Sequence, residues 1–363
     1  MTTTLVLHAQ RFPESRCDSP AVLAADSNRL SLWTDMSGFF KNNEYFSPVA
    51  DGQTYPCISL LPALTYQASG RFRAQAGFYA VKFSGKNDFS HLQPFLRLQY
   101  AVAPALQMTL GNLYGGANHR LIEPLYGWER HYVAAPESGL QFVLHDERRF
   151  ADIWVDWQHY IERGDAAPEA LTFGISTCRQ LTPPESKFLL KLPLQLLIHH
   201  QGGQIDTSDE PMIVLGNFAA GVCSQWQTGW KRLQSVGCDI YATGYYDRYP
   251  NEERRPFRQG WGVYPVLHIE VAPFLCTAGY WHGERFYAFQ GEALFGSFNV
   301  HDPSQQMPVR DLITFKLMFD KEVYQGISVG AQVETYSDLH RGKTDYSFGV
   351  HIRCNRQFVL KQL

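Results

Sequence analysis

Lys187-Phe188-Leu189-Leu190-Lys191-Leu192-Pro193-Leu194-Gln195-Leu196-Leu197-Ile198-His199 is the stretch that decides the fold. Read in steps of two, one phase holds Phe188, Leu190, Leu192, Leu194, Leu196 and Ile198. The other holds Lys187, Leu189, Lys191, Pro193, Gln195, Leu197 and His199. A period of two sends successive side chains to opposite faces of a strand, so the segment has one dry face and one wetter face. Its length exceeds the five or six residues usual for a strand of a soluble domain and suits a tilted crossing of a bilayer.

Five further segments repeat the pattern. Leu92, Pro94, Leu96, Leu98 and Tyr100 oppose Gln93, Phe95, Arg97 and Gln99; Ala151, Ile153, Val155 and Trp157 oppose Asp152, Trp154, Asp156 and Gln158. Trp261, Val263, Pro265, Leu267, Ile269 and Val271 oppose Gly262, Tyr264, Val266, His268 and Glu270. The last two centre on Ile327 to Val333 and on Tyr346 to Cys354, with Glu334 and Arg353 on their wet faces. The dry faces of all six carry no Asp, Glu, Lys or Arg. The wet faces carry Arg97, Asp152, Asp156, Lys187, Lys191, Glu270, Glu334 and Arg353.

Extending the reading along the chain marks sixteen segments: 29–41, 56–68, 71–84, 91–103, 105–112, 138–146, 149–162, 169–181, 186–200, 213–227, 230–246, 258–271, 273–284, 310–319, 323–337 and 343–356. Their connectors alternate between short ones, such as Ser69-Gly70, Pro104 and Thr182 to Glu185, and longer ones, above all 113–137 and 285–309. An even strand count with short turns at one rim and long loops at the other is the pattern of a transmembrane barrel. Aromatics near segment ends, including Phe40, Tyr100, Tyr160, Trp226, Trp230, Tyr246, Trp261, Trp281 and Tyr336, suit interfacial girdles. Pro94, Pro193 and Pro265 inside proposed strands each remove a ladder donor, which calls for bulges or rim positions. The fold class expected is all-β: a transmembrane antiparallel up-and-down β-barrel of about sixteen strands, with fourteen as the alternative.

Composition agrees. Of 363 residues 45% are hydrophobic, 18% charged and 14% aromatic, and the mean hydropathy is -0.26. That average excludes membrane helices but not a barrel, in which dry and wet faces cancel. A net charge of -3 offers no basic footprint for nucleic acid. Seven cysteines, Cys17, Cys57, Cys178, Cys223, Cys238, Cys276 and Cys354, contain no CxxC pair and no zinc spacing. Residues 1–10 read as the remnant of a secretory signal, 11–28 as a periplasmic N-terminal segment, and 29–363 as a single barrel domain.

These spans, together with the final segment from Asp345 to Phe358, resemble Gram-negative outer-membrane β-barrels of a porin-like kind, most closely uncharacterised barrels of the Bacteroidetes type, whose exported chains often begin after an Ala-Gln such as Ala9-Gln10. The resemblance implies the bacterial outer membrane, with both termini in the periplasm. Such barrels commonly end on a terminal aromatic, whereas this chain ends Phe358-Val359-Leu360-Lys361-Gln362-Leu363.

The richest loop is 113–137. It is long enough to fold inward and constrict a pore, with Asn118, His119, Arg120, Glu123, Glu129 and Arg130 setting a mixed field. The competing reading is a loop packed over the barrel mouth through Leu121, Leu125 and Trp128, its charges spent in local ion pairs. The segment from Gly279 to Arg285, leading into Gln290 to Ser297, reads as a second long loop, offering polar and aromatic groups for a sugar or peptide or serving as an anchored surface loop. His199 and His200 are adjacent in a strand and face opposite sides, poor geometry for one metal ion. There is no GxSxG elbow, HExxH or P-loop. A lipid hydrolase would need its base on the lipid-facing side near the outer rim, and outward His159, beside Tyr160 and Glu162, is the one candidate noticed.

The function expected is therefore a porin-like channel for small hydrophilic solutes, not an enzyme, with no catalytic residue, cofactor or metal. Arg73, Arg97, Asp152, Asp156, Lys187, Lys191, Glu270, Glu334 and Arg353 line the lumen in this reading. The partners expected are outer-membrane lipid and a small solute, with no nucleic acid. The alternatives are a plugged barrel acting as a receptor or as a subunit of a transport or secretion assembly, and an outer-membrane lipid hydrolase.

Overall fold

The computed structural model of the chain describes residues 22, 26–251 and 253–363. Cys17, the signal remnant and most of the segment 11–28 lie outside them.

Sixteen strands form one closed antiparallel barrel. In chain order they are β1 (Arg29–Glu44), β2 (Thr54–Gln67), β3 (Phe72–Phe83), β4 (His91–Ala103), β5 (Leu106–Asn112), β6 (Ser138–His145), β7 (Arg149–His159) and β8 (Ala170–Gln180). They continue as β9 (Phe188–Gln201), β10 (Ile213–Gln227), β11 (Leu233–Asp247), β12 (Gln259–Val271), β13 (Phe274–Glu284), β14 (Val309–Tyr324), β15 (Ile327–Asp338) and β16 (Lys343–Gln362). Each strand pairs with its sequence neighbours, and β1 closes on β16 from Arg29↔Gln362 to Glu44↔Tyr346. The expected sixteen-stranded class is therefore the observed one. The alternative of fourteen falls away.

The six dry faces point out. Leu92, Leu96, Leu98, Leu194, Leu267 and Val350 are each about half exposed or more, while their opposite neighbours are largely covered. The expected girdle is right in large part. Phe40, Tyr100, Tyr160, Trp226, Trp230, Tyr246 and Trp261 face outward, whereas Trp281 and Tyr336 are buried inside. Position near a strand end does not fix the side; parity along the strand does.

The strand prolines need no bulges. Pro193 and Pro265 sit where one ladder skips a rung: the β9–β10 pairing passes from Lys191↔Cys223 to Leu194↔Ala220, and the β12–β13 pairing from Val263↔His282 to Val266↔Gly279. Pro94 pairs with Phe78 on one side, and on the other its strand outruns β5, whose pairing with β4 stops at Arg97↔Gly111.

That last mismatch shapes the molecule. β5 has 7 residues and β6 has 8, against 13 in β4 and 11 in β7. The wall is therefore notched on the long-loop side. Gly111 and Gly139 face each other at the notch with φ of +93° and +156°, and a Cβ there would lie 2.3 Å from the Leu96 carbonyl oxygen or 2.0 Å from that of Val155. Only glycine accepts both constraints. The chain between them leaves the wall and enters the lumen. At the abandoned edge of β4 the Leu96 N–H donates to the Asn112 side chain (Oδ1, 2.7 Å), and the Arg97 side chain in turn donates through Nε to the Asn112 carbonyl at 2.7 Å.

Candidate functional site

Two loops fill the barrel. Loop 113–137 contributes Leu113, Leu121, Ile122, Leu125 and Tyr126, and loop 285–308 contributes Phe286, Ala288, Leu294 and Phe295, to one buried cluster with the wall residues Trp154, Tyr241, Tyr264, Trp281 and Tyr336. They also join by backbone: Gly127 N–H donates to the Gln290 carbonyl at 2.7 Å and Glu292 N–H to the Glu123 carbonyl at 3.1 Å. The apolar core of this protein thus lies inside its lumen.

The charges named from sequence are tied into that plug. Glu123 accepts from Tyr336 Oη at 2.6 Å and pairs with Lys316. Lys316 also reaches Glu334 at 3.5 Å, and Glu334 takes Lys41 at 3.1 Å and Ser347 Oγ at 2.7 Å. Lys41 continues to Glu129 at 3.4 Å. His119 is clamped between carboxylates, Nδ1 at 2.8 Å from Asp152 Oδ2 and Nε2 at 2.7 Å from Glu137 Oε2, with its ring stacked 3.6 Å from that of Trp154. Burial alone would lower the His119 pKa, but Glu137 and Asp152 outweigh it and raise it to about 10. Glu137 is correspondingly held below the usual carboxylate range, its burial offset by His119. Burial raises the Glu292 pKa to about 8, reinforced by Glu129.

The remaining residues fall as follows. Arg97 is buried and lies 3.8 Å over the Tyr114 ring; Arg73 donates to Gln99 and, at 3.0 Å, to Tyr114 Oη. Asp156 accepts the Ser138 N–H at 2.9 Å, Glu270 the Ser235 hydroxyl at 2.9 Å, and Arg353 pairs with Asp35 at 2.7 Å. Lys191 is buried on the inner face, while Lys187 is exposed in the turn before β9. Asn118 caps its own turn through the Gly115 carbonyl. Arg120 stacks 3.8 Å over Phe150, and Arg130 lies 5.2 Å from the Tyr126 ring centroid. Of the two readings of loop 113–137, the packed one describes these contacts. Beside the loop a cavity of about 200 Å³ remains, lined among others by Asp35, Ser37, Ser59, Arg130 and Arg353.

A second cluster lies on the outside of the wall, at the long-loop ends of β13 and β14. The segment read as a loop from Gly279 is strand as far as Glu284. His282 pairs with Asp311 across the ladder, both on the outward phase. Asp311 Oδ1 takes His282 Nδ1 at 2.8 Å and the Tyr280 hydroxyl at 2.5 Å, and Oδ2 takes His340 Nε2 at 2.6 Å from the β15–β16 loop. The Leu339 N–H donates to the Asp311 carbonyl at 2.9 Å. The Trp261 ring lies 5.2 Å from that of His282. Side-chain exposure is 29% for His282, 51% for His340 and 15% for Asp311, so both imidazoles are reachable. Below Asp311 on the same face, Ile313, Phe315 and Leu317 are exposed apolar residues.

Sequence reasoning missed this cluster, and the signal was small. Asp311 is a carboxylate on the outward phase between Val309 and Ile313, a break of the dry face near a strand end. His159, the candidate it did propose, bonds the Pro168 carbonyl at 2.8 Å and ties down a loop. His199 is buried against Phe289 while His200 bonds the Gly202 carbonyl.

Among solved structures the chain is similar to outer-membrane porins. OprD of Pseudomonas aeruginosa has a TM-score of 0.52 at 7% identity, over 94% of this chain and 97% of that one. OccAB4 of Acinetobacter baumannii gives 0.51 at 8%, over 92% and 99%, and a loop L8 deletion mutant of Vibrio cholerae OmpT gives 0.51 at 11%, over 90% and 99%. At such identities the likeness is one of fold. No relative was found among curated proteins. The sequence pattern of a family described as lipid A 3'-O-deacylase-type matches residues 22–363. This overturns the expectation of a barrel that is not an enzyme. That expectation rested on the lack of contiguous motifs, and side chains brought together from separate strands leave no such motif. With nearly its whole length matched, the chain belongs to the lipid A 3'-O-deacylase-type family.

Proposed function

We propose that this barrel is an outer-membrane hydrolase that releases a fatty acyl chain from an ester of an outer-leaflet glycolipid of the lipid A kind, with its long loops outward and its termini periplasmic. The observation that carries this reading is the filled lumen: packed loops occupy the route through the barrel, so a substrate meets the protein at the rim or on the lipid-facing wall. A lipid arrives there by lateral diffusion, and its ester linkages lie where headgroup meets hydrocarbon. Membership of a deacylase-type family supplies the reaction. The test is release of free fatty acid from lipid A in mixed detergent micelles by the purified, folded barrel; a folded barrel that releases none sinks the reading.

A second reading, passage of small hydrophilic solutes, draws on the lumenal cavity of about 200 Å³ and its mixed-charge wall. It requires the two loops to swing aside. Reproducible single-channel steps in planar bilayers support it, and a silent barrel that steps only after residues 116–135 are deleted leaves it without a role for the intact chain.

A further inference from the structure

We propose that Arg149 and Arg179, at the short-turn end of the wall, hold the phosphate of a phosphatidylethanolamine of the periplasmic leaflet, with Glu147 receiving its ammonium group. Neither the lumen nor the hydrolase reaction is involved; only the orientation proposed above, short turns toward the periplasm, is shared with that reading.

Two like charges stand face to face at this place. Arg149 opens β7, Arg179 is one residue from the end of β8, and the register sets them directly opposite each other. Both lie on the outward phase, in line with Ile153 and Ile175 of the apolar band. Cross-strand neighbours on one face have Cβ atoms about 5 Å apart, and like charges so placed cost stability. An anion bound between them turns that repulsion into two attractions.

The surrounding donors are already engaged, and Arg179 is not. Arg148 gives Nη2 to the Leu181 carbonyl at 2.7 Å, and Arg149 gives Nε and Nη2 to Asp146 Oδ2 at 2.7 and 2.6 Å. Asp146 Oδ1 accepts the backbone N–H groups of Arg148 and Arg149 at 3.0 and 2.8 Å, which fixes the turn. Among the described residues Arg179 and Glu147 meet no hydrogen-bond or ion-pair partner. All five residues line one open cleft of about 520 Å³. A guanidinium is a planar fork of donors that matches phosphate oxygens. Glu147 adds a carboxylate to the same cleft, which suits a primary ammonium and opposes a second anionic group.

Height along the wall points to a lipid as the carrier of that phosphate. Leu192 pairs with Arg179 from the other side, and Ile153, Leu192 and Leu194 are exposed apolar residues along which acyl chains lie. Phe188 and Trp226, paired across β9 and β10 and both exposed, mark the membrane interface at the same rim. Lys187, Lys231 and Arg232 carry the positive sign onward through the next two turns, in a chain whose net charge is -3. Basic surface at headgroup level attracts phospholipid phosphates.

The experiment titrates the purified, folded barrel in detergent with phosphatidylethanolamine, phosphatidylglycerol, lipid A or inorganic phosphate, reading retained lipid by native mass spectrometry and the thermal midpoint beside it. The variants are Arg179→Gln, Glu147→Gln and, as a control on the opposite rim, Lys86→Gln. Arg179→Gln is expected to weaken phosphatidylethanolamine retention about tenfold or more, the size of a lost charged hydrogen bond, and Lys86→Gln to leave it unchanged. Glu147→Gln is expected to bind the ethanolamine and glycerol lipids alike. In lipid-free detergent Arg179→Gln should unfold at or above the wild-type midpoint, because it removes the opposed charges, and saturating phosphatidylethanolamine should reverse that order; an arginine with a merely structural role would lower the midpoint in both conditions. Retention by Arg179→Gln within about threefold of the wild type overturns the assignment. So does a wild type that takes phosphatidylglycerol or lipid A as tightly as phosphatidylethanolamine, or that surrenders its lipid to inorganic phosphate. Fatty acid release from lipid A by the same preparations tests the hydrolase reading separately, whichever way the lipid titration falls.

Discussion

His119 and His282 are both imidazoles between acidic partners, yet they belong to opposite kinds of site. His119 is fully buried, both nitrogens hold carboxylates, and its pKa is raised to about 10. A base must have a free lone pair, and His119 has none to give. His282 gives Nδ1 to Asp311 at 2.8 Å and has Nε2 3.7 Å from Glu284. Residue type is the same; burial and the distance of each nitrogen from a carboxylate differ. The lumenal network is buried, and the rim cluster is partly open to its surroundings.

Substitutions should therefore separate the two regions, beginning with the largest effect. Lys316→Met leaves Glu123 and Glu334 short of a counter-charge inside the barrel, and breaking a buried pair in this way costs about 3–5 kcal/mol. Urea unfolding in detergent should show it; equal losses of stability at the rim would erase the distinction. His119→Gln should cost about 1–3 kcal/mol at neutral pH through the lost charged hydrogen bonds. Because the folded pKa of His119 is raised, its contribution is full below about pH 6.5 and fades as pH climbs through about 10. Wild-type and variant midpoints should then converge in alkaline buffer, and a gap that stays constant across pH would contradict the clamp.

Glu292 carries the opposite sign. Its folded pKa, raised to about 8 by burial, means that ionisation costs stability as pH rises from about 4.5 to 8. Glu292→Gln should be neutral in acid and stabilising by on the order of 1 kcal/mol at pH 9, read from the same midpoints. The smallest effect belongs to the rim: Asp311→Asn should change stability by less than about 1 kcal/mol, as partly exposed pairs do. A large loss of stability there would make the rim cluster another structural clamp.

Much of the wall was legible in the chain. β4 was delimited to the residue, β10 likewise, and the phase of all six clearest segments followed from where Leu, Ile and Val alternate. Period two is a local property, so a local reading reaches it. The end of β14 was placed near Phe319 although the strand runs to Tyr324, because Asp320, Lys321 and Glu322 imitate a turn while the true one is Gln325-Gly326. The plug was half legible. Leu121, Leu125 and Trp128 suggested packing, but nothing in residues 285–308 announced that Phe286 and Phe295 would meet them. The rim cluster draws on β13, β14 and the β15–β16 loop, so its geometry exists only once the register His282↔Asp311 is set.

The pairing of Gly127 with Gln290 and of Glu292 with Glu123 has a consequence for how the molecule is made. Contacts between segments more than 160 positions apart are slow to form, since loop closure must precede them. When β1 to β6 are in place, Leu125, Tyr126 and Glu123 of the first loop still await partners that arrive only with β13 to β15. The interior therefore matures at about the same moment that β16 reaches β1, and wall closure and core condensation are a single late event.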